Sequence, residues 1–168
     1  ALRKPKGTIA LIGEGTEVDS VSLGGYDLND PVYLSEEYRK GGCAAVMVST
    51  GMEGSLGEDG IAKTVSEQEP AKGNFPGPIP TVVRAPVVDE VQLADAKADG
   101  ALAAVLHLAV NGKEKTAELM ASCEEFGMEP MVRVCDAAQL TDALSLDAKI
   151  VVIGDVTLEE GSALLAEV

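Results

Sequence analysis

Few residues in this 168-residue chain could do chemistry. Glu14, Arg84 and Arg133 each lie in or just after a short apolar run. Two arginines and a glutamate can form a pocket for an anion or carboxylate. They can equally neutralise one another as an internal ion-pair cluster, and the sequence leaves both readings open. Arginine stays protonated at working pH, so these positions can hold charge but cannot usefully donate a proton. Ser49 and Thr50 close the run CAAVMVST (43–50), where hydroxyls more often cap a turn than attack a substrate. Cys135 ends MEPMVRVC as a candidate nucleophile, yet no neighbouring lysine or histidine is evident to activate it. His107, the only histidine, sits within LAAVLHLAV and reads as a hydrogen-bonded core residue. The pairs Glu36-Glu37, Glu124-Glu125 and Glu159-Glu160 read as solvated helix faces.

Metal and cofactor motifs are missing. Cys43, Cys123 and Cys135 show no CxxC or Cys/His spacing, so neither a zinc site nor a disulfide framework is expected. Three reduced thiols fit a reducing compartment. GEG at 13–15 lacks the third glycine and distal acid of a dinucleotide fingerprint. No Walker A lysine motif, HExxH or GxSxG occurs, and no cofactor is expected.

Composition narrows the partners. The chain carries 13 Lys+Arg against 28 Asp+Glu, a net charge of −15, which repels nucleic acid and anionic membrane surfaces. No apolar run approaches the roughly 18–20 residues of a membrane span, so direct membrane insertion is not expected. With no Trp, two Phe and three Tyr, the core must be built from aliphatic side chains and Met. The length suits a single domain spanning 1–168. A chain beginning at Ala1 reads as a processed end or as the limit of the piece in hand.

The elements that must position these residues come in a regular order. TIALIG (8–13) reads as a buried strand, and Gly24 to Pro31 as a loop. Asp30-Pro31 reads as the N-cap and first residue of a helix ending at Gly41-Gly42. CAAVMVST follows as a strand. Residues 51–80 form a Gly/Pro-rich connection, with NFPGPIP at 74–80 and one weak helix near 58–68. Strand-like runs at 79–84, 102–110, 128–135 and 149–155 then alternate with helix-like runs at 88–100, 112–127, 136–147 and 157–168. The strands are apolar throughout rather than alternating, as a parallel sheet covered on both faces requires. The pattern predicts an α/β fold of six βα units with parallel strands.

At this point the segments resemble the indole-3-glycerol-phosphate synthase family. LIGEG (11–15) is similar to that family's LIAE(V)K first strand. DPVYLSEEYRKGGCAAVMVST (30–50) is similar to its DP-x-x-IA-x-x-Y-x-x-GAAAISVLT. GSL (54–56), IPTVVRAPVVDEVQL (79–93), GALAAVLHL (100–108), FGMEPMVRVCD (126–136) and AKIVVIGDVTL (148–158) follow in the family's order and spacing. The resemblance implies a TIM-barrel-like (β/α) repeat, with about six of eight units present, as an incomplete or open barrel. It also implies charged residues at the C-terminal ends of strands. It implies a ring-closing reaction in tryptophan biosynthesis: acid-assisted attack on a carbonyl, then loss of CO₂ and water.

Carried over by position, the first-strand glutamate is Glu14 and the lysine two residues on is Thr16. The serine–proline–serine turn that helps hold the substrate phosphate becomes Asp19, Ser20 and Val21. The third-strand lysine, the family's general acid, becomes Arg84, followed by Ala85-Pro86 in place of Asp-Phe. The fifth-strand glutamate becomes Arg133, and the sixth-strand Asn-Asn-Arg becomes Gly154, Asp155 and Val156. These departures lead to the expectation of a non-catalytic descendant: a binding or scaffold subunit of a larger assembly, in a plastid or photosynthetic complex. The missing Met start would then fit removal of a transit peptide, with a cytoplasmic setting as the other possibility. The competing expectation is a working synthase, or a related phosphosugar enzyme, that binds a small anionic ligand through Glu14, Ser49, Arg84 and Arg133.

Overall fold

The computed structural model describes residues 10–16, 22–23, 26–51, 55–154 and 156–166. They form two compact units, each with three parallel strands and helices alternating along the chain. No helix among the described residues is long and apolar enough to cross a membrane.

The first unit takes in the described residues up to Ala85 together with Asp95–Leu102. Its strands are β1 (Ile12–Gly15), β4 (Ala45–Ser49) and β5 (Thr81–Arg84). Glu14 is in register with Met47, Met47 with Val82, and Ser49 with Arg84. A short antiparallel pair joins β2 (Ser22–Leu23) to β3 (Tyr26–Asp27), and β3 lies in the stretch expected to be loop. Helix α1 (Pro31–Lys40) starts where the sequence reading puts it. Asp30 accepts a hydrogen bond from the Val32 N–H at 2.9 Å, and Pro31 takes the first helical position, where no N–H is needed. Helix α2 (Gly60–Gln68) continues into a 3₁₀ turn (Glu69–Ala71). Every residue of β4 is buried, and Val82 and Val83 of β5 are fully enclosed. Uniformly apolar strands thus find cover on both faces.

The second unit holds Pro86–Ala94 and the described residues from Ala103 onward. Helix α3 (Glu90–Ala98) has its first half here. The strands are β6 (Ala103–His107), β7 (Glu129–Val134) and β8 (Val151–Ile153). His107 is in register with Arg133, and Arg133 with Val152. Helices α4 (Leu108–Glu125), α5 (Ala137–Ser145) and α6 (Leu158–Leu165) follow the strands in turn. Val132 and Val134 pack on Leu108, Leu140, Ala143 and Leu164, so β7 turns these valines toward the helices and Arg133 toward the opposite face.

One element differs from expectation. The apolar run 102–110 is strand only as far as His107. Leu108 to Asn111 form a helical turn, and Gly112, at φ 67°, breaks it from the long helix that follows. Leu108 is buried against Val132 and Val134, and the Asn111 side chain donates to the Val87 carbonyl at 2.9 Å. Tertiary contacts decide the conformation here, because a short apolar run fits a strand and a buried turn equally well.

Candidate active site

Glu14 meets two partners from neighbouring strands. Ser49 Oγ donates to Glu14 Oε1 at 3.1 Å, and Arg84 donates to the same oxygen in an ion pair. The three residues come from β1, β4 and β5, which places the group at the C-terminal ends of three parallel strands. Ser49 is buried, whereas the side chains of Arg84 and Glu14 keep 24% and 39% of their exposure. Solvent can therefore reach the pair, and the Ser49 hydroxyl lies buried beneath it.

Packing on the other face of β1 sets the position of Glu14. A Cβ on Gly13 would lie 2.4 Å from Cγ of Tyr38, so the aromatic ring occupies the place of a side chain there. Tyr38 Oη donates to the Glu14 carbonyl at 2.8 Å. Burial pushes the Tyr38 phenol above its ordinary 10.0, with the nearby Cys43 and Glu14 acting in the same direction. The phenol remains a donor through the neutral range.

In the second unit, Arg133 is 9% exposed, and its guanidinium lies against Gly154. A Cβ on Gly154 would be 2.6 Å from Arg133 Nε and 2.8 Å from Nη2. The glycine that replaces the expected asparagine is the space this arginine fills. His107 is its register neighbour on β6 and is half-buried. Val156 is half-buried after β8.

The remaining candidates are dispersed. Asp19, Ser20, Val21 and Asp155 lie outside the described residues. Thr16 follows β1 and is half-buried. Cys135 is half-buried, with its N–H donated to the Gln139 side chain at 3.1 Å. Cys123 is buried, and desolvation pushes its thiol up to about 12. Among the described residues, no three His, Cys, Asp or Glu side chains gather as a metal site would need. Sequence reasoning missed Tyr38 and Gly13. Their only trace is a glycine in a strand and a tyrosine on the next helix, and neither identifies the other as its partner.

Parallel βα units with an ionic, hydroxyl-lined group at their strand ends define a TIM-barrel-like α/β scaffold. The family profile for indole-3-glycerol phosphate synthase matches residues 1–162. An indole-3-glycerol phosphate synthase of Roseiflexus sp. (strain RS-1) is 33% identical over 126 residues, covering 73% of this chain and 45% of the relative. Indole-3-glycerol phosphate synthase 2 of Streptomyces coelicolor is 32% identical over 124 residues, covering 72% of this chain and 44% of its own length. The corresponding protein of Ralstonia nicotianae is 28% identical over 159 residues, covering 92% of this chain and 55% of its own length. The chain belongs to the indole-3-glycerol phosphate synthase family, and it spans about half the length of these relatives.

This membership corrects the expectation of a non-catalytic scaffold subunit in a plastid complex. The family model and these relatives are all described as indole-3-glycerol phosphate synthases, and nothing in the matches supports a scaffold or plastid-complex role. The expectation counted each departure as a loss of charge or of proton handling. In the structure, Glu14, Ser49 and Arg84 instead form one hydrogen-bonded group, and Arg133 fills the space left at Gly154.

Proposed function

We propose that this chain takes part in indole-3-glycerol phosphate synthesis, the carbon–carbon lyase step in tryptophan biosynthesis that closes an indole ring and releases CO₂ and water. The observation that carries the proposal is the Glu14–Ser49–Arg84 group at the ends of adjacent strands, in a chain of this family. Arg84 would bind the substrate's anionic or carbonyl oxygen and stabilise the negative charge that develops as the ring closes. Its role is to hold charge, because a guanidinium does not give up its proton. Glu14 would hold the guanidinium in place and keep its other N–H groups aimed outward. Ser49 Oγ would steady Glu14 through the same oxygen that receives the guanidinium.

The test is direct. Purified protein is supplied with carboxyphenylamino-deoxyribulose phosphate, and the appearance of indole fluorescence is followed. Turnover is expected, with kcat falling about 10²-fold or more in Arg84→Ala, the scale of removing one charge-stabilising donor. A wild-type sample with no turnover overturns the proposal.

A further inference from the structure

We infer that Tyr38 is a positioning residue for the Glu14–Arg84 group, acting through the backbone of β1. The inference rests on the reading of that group as the reactive site, and extends it to a residue that touches neither Ser49 nor Arg84 in the hydrogen bonds described above.

The argument starts at the strand. Among the described residues, β1 pairs with β4 alone. The Leu11 carbonyl accepts from the Ala44 N–H at 2.6 Å, so alternate carbonyls from Leu11 onward point toward β4. The Glu14 carbonyl therefore points to the other side, where the ladder with β4 cannot satisfy it. Tyr38 Oη supplies that missing donor at 2.8 Å. The same ring presses on Gly13 at a separation no side chain could share. Two consecutive peptides of β1 are thus held by one side chain of α1, one by contact and one by a hydrogen bond. The next feature along is the Glu14 carboxylate, whose Oε1 serves both Ser49 and Arg84. Without these two contacts the end of β1 would be freer to pivot about its ladder bonds with β4, and the carboxylate would move with it.

Tyr38→Phe separates the two functions, since it keeps the ring against Gly13 and removes only the donor. The first readout does not depend on turnover: the ¹⁵N–¹H signals of the Arg84 guanidinium, which an ion pair holds in slow rotation. Wild-type protein is expected to show resolved Arg84 Nη–H signals. Glu14→Gln is expected to lose them as the reference for a broken pair, and Tyr38→Phe is expected to broaden them while the Val46 and Val82 methyl signals stay in place. The second readout is kinetic, with kcat falling roughly two- to tenfold in Tyr38→Phe and KM little changed. Unchanged Arg84 signals in Tyr38→Phe overturn the inference, whatever the activity. So does their loss together with displaced core methyl signals, because that would make Tyr38 a general packing residue. Absent turnover in wild type, with the spectroscopic pattern intact, would sink the proposed reaction and leave the positioning role standing.

Discussion

At the scale of single residues, two glycines, one in each unit, make room for the side chain beside them. At Gly13 the clash with an added Cβ involves Tyr38 Cγ, Cδ1 and Cδ2, the root of a rigid ring that can swing aside only about χ1, with loss of its hydrogen bond to the Glu14 carbonyl. Gly13→Ala must therefore shift α1 or β1 or break that bond, and a loss of about 1–3 kcal/mol is expected from overpacking, measured as a lower urea midpoint. At Gly154 the atoms met are the far end of Arg133, a flexible chain. Gly154→Ala is expected to cost less, displacing the guanidinium rather than the backbone. If Gly154→Ala proved the more damaging of the two, Arg133 would have to be as rigidly seated as the Tyr38 ring. Thiol chemistry offers a separate check. Cys123 is fully buried with its thiol raised to about 12, while Cys43 and Cys135 are half-buried. Iodoacetamide at pH 8 is expected to spare Cys123 in folded protein and to label it only after denaturation, because the thiolate is the reacting form. Rapid labelling of Cys123 in native protein would contradict its burial.

Among the elements, two devices outside the site illustrate how this chain secures its helices. Between α1 and α2, Glu67 accepts from Arg39 in an ion pair and from Ser35 Oγ at 2.7 Å. Gln68 Nε2 donates to Ser35 Oγ at 2.6 Å, and Gln68 Oε1 accepts from the Ile79 N–H at 2.9 Å. The Arg39 and Glu67 side chains are only 13% and 9% exposed. Removing one partner would leave a largely buried charge behind. Glu67→Ala is therefore expected to cost about 3 kcal/mol, read from chemical denaturation. At α6, Thr157 and Glu160 form a reciprocal cap: the Glu160 N–H donates to Thr157 Oγ1, and the Thr157 N–H donates to the Glu160 carboxylate. That backbone donor, followed by the Thr157 hydroxyl, lowers the Glu160 carboxyl below its ordinary 4.5. A carboxylate lowered by folding contributes stability that is fully present above its unfolded value and disappears as pH falls through the folded one. Amide protection factors in α6, with the intrinsic pH dependence of exchange divided out, are expected to fall as the pH drops below about 4.5, and Glu160→Gln should flatten that dependence. Both helix starts, at Asp30 and Thr157, were legible because a cap is written in adjacent residues. The Leu108 turn and the β2–β3 pair were not. An apolar run carries no mark of where it stops being a strand, and a two-residue ladder leaves no period to read.

For the molecule as a whole, the order of βα units and the identities of Glu14, Ser49 and Arg84 were present in the sequence, since order and residue type survive without coordinates. Their joining into one group was not, because the contacts lie 35 and 70 positions apart along the chain. The expectation of a scaffold role fell to the family matches, because a list of substitutions shows which groups changed and not what the changed chain does. Net charge is the one global property that needs no partner, and it leads to a prediction. The excess of 15 negative charges makes the folded state repel itself. Against that stand surface pairs such as Lys40–Glu36, Lys63–Asp59, Lys72–Glu69 and Lys113–Asp142, all about half exposed. Pairs of this kind contribute little in open solvent, and salt weakens them. The repulsion is spread over many unbalanced acids and is screened by the same salt, so the two effects oppose one another. With acids outnumbering bases 28 to 13, relief of repulsion should win. Raising NaCl from about 0.01 M to about 0.3 M is expected to raise the thermal midpoint by about 2–4 °C, the equivalent of ~1 kcal/mol for a chain of this size. A midpoint that fell with salt would mean that the pairs, and not the surplus charge, govern the electrostatic balance of the fold.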